Sequence, residues 1–273
     1  MTIYSTRNGI DWQYRHCMAV PSETDLEGAQ HYGAMLMPLP DAQLMLAMLN
    51  YYDADAQQIY NELLYSRDGL HFHRFPGHKP FMRGKIGEWY YGHAFLSRQM
   101  VQSGNYWYQL ANYCTPLPHF AHEVVMMHNK LKQVTADDLR LRFEKRQLAT
   151  RWPHFKAVGG WDGLAELIRQ SYYAVGIVKM RIDGWFGLCA GETEGMFQTY
   201  KFWGGERIYA NADVQEDGSL NIELLDENGA VLRSVDIRGN GVKLLAFKDI
   251  DDNYEHMLRV RMRKAVLFSL SFE

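Results

Sequence analysis

The chain is 273 residues long, 47% hydrophobic and 22% charged, with 29 basic against 32 acidic residues and a formal net charge of −3. This composition excludes a disordered or fibrous chain, and the charge balance excludes binding to nucleic acid by bulk positive charge. No apolar run approaches the roughly 18 residues of a membrane span, and residues 1–14 are polar, so the expectation is a soluble, cytoplasmic chain with no membrane and no signal peptide.

Helix-period stretches are few, whereas alternation and turn signals recur, which predicts an all-β protein. Near the start, Arg7-Asn8-Gly9-Ile10-Asp11-Trp12 repeats 60 residues later as Arg67-Asp68-Gly69-Leu70-His71-Phe72. In each copy Asn-Gly or Asp-Gly predicts a tight hairpin turn and supplies its φ > 0 positions. A repeat of about 50 to 60 residues with several short strands suggests a propeller blade. Residues 32–38, 43–51 and 59–66 read as strands, followed by 92–102 and 105–113 around Ser103-Gly104.

The segment 115–170 stays open. Leu139, Leu141 and Phe143 alternate as a half-buried strand would, yet Thr135 and Asp138 have the spacing of a helix capping box. Residues 161–170 suit a short helix and 172–180 a strand. From 181 onward about seven short strands are expected. Among them 220–224 and 231–237 form a hairpin around Asp226-Glu227-Asn228-Gly229, and together they make an antiparallel sandwich. The expected domains are 1–180 and 181–273.

Cys17, Cys114 and Cys189 are far apart, odd in number and without a CxxC pair, so they read as free, buried thiols. The 17 tyrosines and 7 tryptophans can pack a core or form platforms for ligands such as sugars.

Several motifs carry a resemblance. Tyr32-Gly33-Ala34-Met35, the run from Tyr65 to Phe72, and Gly87-Glu88-Trp89 before Gly92 resemble bacterial proteins related to glycoside hydrolase families 32 and 43. Arg181-Ile182-Asp183-Gly184-Trp185-Phe186, Asn211-Ala212-Asp213-Val214 and Phe268-Ser269-Leu270 are similar to that group's C-terminal sandwich. The resemblance implies a five-bladed β-propeller followed by a β-sandwich. Only about two and a half blade-equivalents precede Arg181, so it implies a partial ring that another chain, or a further part of a longer protein, completes. Tyr90 stands where the resembling proteins commonly carry Asp.

It further implies a carbohydrate partner at the propeller axis, acted on by a glycosidase or held by a noncatalytic binding module. Glycosidic hydrolysis needs two carboxylates, about 5 to 5.5 Å apart for retention or about 6.5 to 9.5 Å for inversion. By position the candidates are Glu27, Glu62, Glu88 and Glu123. His31, His93, His119 and His122 lie near expected blade openings and can bond sugar hydroxyls, while Trp89, Tyr90, Tyr91 and Trp107 can stack on a sugar ring. His119-x-x-His122-Glu123 matches neither a zinc-protease helix nor a Cys/His arrangement, so no metal and no cofactor is expected.

Overall fold

A computed structural model describes residues 2–17, 25, 28–39, 43–127, 133–203, 206–251 and 253–273. Of these, 53% lie in strands and 12% in helices, in several sheets. The chain is therefore mostly β, as its alternation suggests, and no closed sheet is found among the described residues. It divides into two compact units, Met1–Met100 with Gln109–Val178, and Val101–Tyr108 with Lys179–Glu273.

In the first unit, β1 (Thr2–Ser5) and β2 (Gln13–Cys17) pair only with each other among the described residues. A second sheet begins with the antiparallel meander β3 (Gln30–Leu39), β4 (Leu44–Asp53) and β5 (Gln58–Ser66), with Met35 opposite Met48 and Met48 opposite Leu63. Eight of the ten β4 residues are buried. Both faces of this strand are covered, which is why Leu44-Met45-Leu46-Ala47-Met48-Leu49 is a continuous apolar run without alternation. The other edge of β5 takes β6 (His73–Arg74), β7 (Pro80–Met82) and, in parallel at Ile59 and His93, β8 (His93–Ser103). The order continues through β9 (Tyr106–Thr115) to β10 (Ala174–Arg181).

The two repeated motifs fold alike, but not as the tight turns expected. Only the glycines have positive φ, 77° at Gly9 and 73° at Gly69, and the loops span 6–12 and 67–72. In one loop Asn8 Oδ1 accepts the amides of Ile10 and Asp11, and Gly9 N–H donates to Thr6 Oγ1. In the other, Asp68 Oδ1 accepts from Leu70 and His71, and Gly69 N–H donates to Ser66 Oγ. A short polar side chain that accepts from backbone two and three residues on holds a wide loop without a primed turn.

The undecided segment 115–170 carries helices joined by turns where described, and this is the main departure from an all-β chain. Its helices are α1 (His119–Met127), α2 (Ala136–Phe143), α3 (Leu148–Arg151) and α4 (Gly160–Arg169). Thr135 and Asp138 form the capping box. Leu139 and Phe143, four apart, are buried, whereas Leu141 is 84% exposed, which is a helical and not a strand pattern. Phe120, Leu139, Phe143, Trp152, Leu164 and Ile168 share the core of this region.

The second unit contains β11 (Leu188–Ala190), β12 (Gly195–Gln198), β13 (Phe202–Trp203), β14 (Arg207–Leu225), β15 (Val231–Ile237), β16 (Asn240–Lys248) and β17 (Glu255–Phe272). The expected hairpin is present, with Leu220 opposite Ile237 and Leu224 opposite Arg233. Several short strands expected separately are joined: β14 and β17 pair along most of their length. Three more residues of β14 than of β17 separate the pairs Val214 with Ala265 and Ser219 with Arg263. At that bulge Lys264 has φ 48°, and a Cβ on Gly218 would lie 2.5 Å from the Lys264 carbonyl oxygen. Ile208, Ala210 and Ala212 before the bulge, and Leu220, Ile222 and Leu224 after it, enter one core with Leu258 and Val260. Of the cysteines, Cys114 is buried and Cys189 is exposed, which corrects the expectation that all are buried; the Cys17 side chain lies outside the described residues.

Candidate ligand site

The site is built around the N-terminus of α1 within the first unit. A Cβ on Gly92 would fall 1.4 Å from the Leu117 carbonyl oxygen, so only glycine lets the start of β8 lie against the chain leading into α1. The Gly92 amide donates to Thr115 O at 2.8 Å, and its carbonyl accepts from Ile59 at 2.8 Å. Gln57 covers the first turn of α1: its carbonyl accepts from His119 N at 2.6 Å and its Oε1 from Phe120 N at 3.2 Å. These contacts satisfy helix amides that have no partner within the helix. They also fix His93 at the start of β8 opposite His119 and His122, which share a face of α1 by their spacing of three.

His93 Nε2 and His119 Nδ1 are 2.6 Å apart, and His119 Nε2 lies 3.1 Å from Tyr32 Oη. His122 Nδ1 bonds Tyr173 Oη. The rings of His93 and His122 lie 4.9 Å apart, and Tyr52 closes on His119 at 4.7 Å. His93 is 2% exposed and its Nδ1 has no hydrogen-bond partner among the described residues. Burial, then the charges of His119 and His122, holds His93 down at about 3. Burial and His122 hold His119 at about 4, and burial lowers His122. All three are neutral imidazoles near pH 7, and burial raises the Tyr32 and Tyr173 phenols, which stay protonated. The Tyr32–His119–His93 chain can run in either of two tautomeric directions while each facing pair keeps its hydrogen bond.

A cavity of about 440 Å³ opens beside this cluster, lined by Tyr32, Ile59, His93, Phe95, Tyr113, His119, His122 and Tyr173. Among the described residues the lining holds four aromatic rings, three imidazoles and one aliphatic chain, with no carboxylate, lysine or arginine. Among the described residues no group of three or more His, Cys, Asp or Glu is arranged to hold a metal ion. The two closest imidazole nitrogens stand at hydrogen-bond separation, below the about 3.3 Å expected of two ligands on one tetrahedral zinc.

The expected site residues are only partly gathered here. His93 and His122 line the cavity. Glu62, 2% exposed, is held bidentately by Arg74, with Nε to Oε1 at 2.7 Å and Nη2 to Oε2 at 2.5 Å, and Arg74 also reaches Asp25 at 2.5 Å. Glu88 accepts the Lys85 amide at 2.6 Å in a turn. Glu123 projects from α1 to Arg142 at 2.8 Å and Arg146 at 3.1 Å. None of these three carboxylates lines the cavity, and Glu27 lies outside the described residues. His31 packs on Tyr51 at 5.6 Å and lies 4.0 Å from Asp25.

The expected stacking residues have other neighbours. Tyr91 is buried in the helical core, donating to the Ala56 carbonyl at 2.6 Å and accepting from Trp152 Nε1 at 3.0 Å. Trp89 meets the edge of Tyr90 and covers Gly176, where a Cβ would lie 2.2 Å from its ring. Trp107 belongs to the second unit. Sequence reasoning did not single out Ile59, Phe95, Tyr113 or Tyr173 as lining residues. They come from β5, β8, β9 and the segment before β10, and no local spacing marks them as neighbours.

Neither protein-family models nor curated proteins match the chain.

Proposed function

We propose that this chain binds carbohydrate in the tyrosine- and histidine-lined cavity, as a noncatalytic module. The observation that carries this reading is the lining itself: aromatic faces for the apolar side of a sugar ring, backed by phenol and imidazole groups that bond one another and would exchange those bonds for its hydroxyls. Because the imidazoles are neutral and no lysine or arginine lines the cavity among the described residues, an uncharged sugar suits it better than a uronic acid or a sugar phosphate. Hydrolysis is the weaker reading, since it requires two carboxylates across the scissile bond and the described lining has none. On the same reading residues 1–180 form propeller blades, residues 181–273 a β-sandwich, and another chain or a further part of a longer protein completes the ring.

Calorimetric titration of the full chain with neutral and uronic-acid oligosaccharides, paired with an assay for new reducing ends, tests the proposal. Saturable binding of neutral sugars is expected, without new reducing ends and weakened about tenfold or more by Tyr113→Ala, a loss of about 1.4 kcal/mol. Turnover abolished by Glu62→Gln, Glu88→Gln or Glu123→Gln in folded variants would overturn it in favour of a glycosidase.

A further inference from the structure

The two copies of the 60-residue repeat match contact for contact in their loops but differ in what covers them. Besides the shared backbone contacts, Thr6 Oγ1 lies 3.0 Å from Asn8 Oδ1 and Ser66 Oγ 2.9 Å from Asp68 Oδ1. Asn8 Nδ2 donates to Asp11 Oδ2 at 2.7 Å where Asp68 Oδ2 meets His71 Nδ1 at 2.5 Å. Five equivalent contacts make the β1–β2 hairpin the structural counterpart of the β5–β6 hairpin, with Tyr4 at the position of Leu64 and Trp12 at that of Phe72.

In the second copy β4 lies along β5, with Ala47 opposite Leu64 and Leu49 opposite Glu62. Leu64 is 1% exposed and shares a cluster with Ala47, Leu49 and Tyr51, against which Phe72 packs. In the first copy β1 has no strand neighbour other than β2 among the described residues. Tyr4 is 54% exposed, Trp12 60% and Ile10 79%. A strand edge with a row of unpaired backbone groups beside exposed aromatics is a template for strand addition.

We infer that the edge of β1 away from β2, which no strand covers among the described residues, is a docking site for an aliphatic β-strand of a partner polypeptide. This strand runs antiparallel to β1 in the register that β4 takes on β5, with a small residue opposite Tyr4 and a large aliphatic one opposite Thr2. The occupant's chemistry is read from the covered copy of the same hairpin. β4 of a second copy of the chain is already enclosed between its own β3 and β5 and so does not serve. The inference is independent of any ligand in the cavity.

A chimera tests it: residues 30–61 are joined directly ahead of Thr2 of the full chain, which places a copy of β4 60 residues before the original. Amide exchange at residues 3–5 is expected to slow about 100-fold or more relative to the parent chain. The slowing should vanish when the added copy alone carries Ala47→Asp and Leu49→Asp. A synthetic peptide of residues 43–53 added in trans provides a second measurement if the chimera folds poorly. Unchanged exchange at residues 3–5 in both arms overturns the inference. So does a parent chain that is dimeric by light scattering with those amides already protected, because a second copy would then be the occupant.

Discussion

His93 is buried, with His119 and His122 less than 5 Å away between ring centres and Phe95 beside it, and burial first, then these imidazoles, makes its protonation costly in the folded chain. In the unfolded chain its imidazole takes up a proton near pH 6.5, whereas in the folded chain it stays neutral down to about 3. The unfolded state therefore binds more protons over that window. Stability is unaffected by His93 above the unfolded value and falls as pH drops from about 6.5 toward 3, by about 1.4 kcal/mol per pH unit for this one group. Urea unfolding between pH 7 and 4 should show that fall, and His93→Gln should make it shallower; an unchanged slope would mean that His93 is protonated in the native state. Glu62 belongs to the opposite class, a buried charge whose partner defines it. Glu62→Gln leaves Arg74 with Asp25 alone and should cost about 3 to 5 kcal/mol in urea unfolding. A strand glutamate reads in sequence as a possible acid catalyst because its partner is 12 residues away across a strand pair, and alternation does not reveal such pairs.

At the scale of the element, the repeated loop shows which chemistry is interchangeable. Asn8 and Asp68 make the same backbone contacts through Oδ1, so Asp68→Asn should keep the loop and its melting temperature close to the parent's. Asp68→Ala removes the acceptor for Leu70 and His71 and should lower the melting temperature clearly. Equal melting temperatures for the two variants would contradict the assigned role. The His71 side chain, followed by the backbone amides of His71 and Leu70, holds the Asp68 carboxyl far below the usual carboxylate range. The existence of both loops was legible because Gly9 and Gly69 sit where positive φ is needed. Their width was not, because a side chain and not a primed turn closes them. In α2 the local signals conflicted. Leu139, Leu141 and Phe143 fit a strand by alternation, but the Thr135–Asp138 box satisfies helix amides at once, and packing of Leu139 with Phe143 completes the choice.

Over the whole chain, the mostly-β character and the 220–237 hairpin follow from patterns two residues long, which sequence carries well. Joined strands were harder to see. In β17 the buried positions step by two through Leu258, Val260 and Met262, then by three to Ala265, and the change of phase at Lys264 reads as a break between strands where the chain only bulges. The cavity was least legible of all. His93 and His122 stood out as histidines, but the walls come from residues as far apart as Tyr32 and Tyr173, and only the sheet order and the docking of α1 on Gly92 bring them together.

Ring resonances of isotopically labelled histidine test directly the proposal that an uncharged sugar sits against the neutral imidazoles. When the full chain is titrated with the tightest-binding oligosaccharide, the His93, His119 and His122 resonances should move together and saturate with the same Kd as calorimetry. Saturable binding that leaves all three imidazoles unmoved would place the ligand elsewhere and contradict the account.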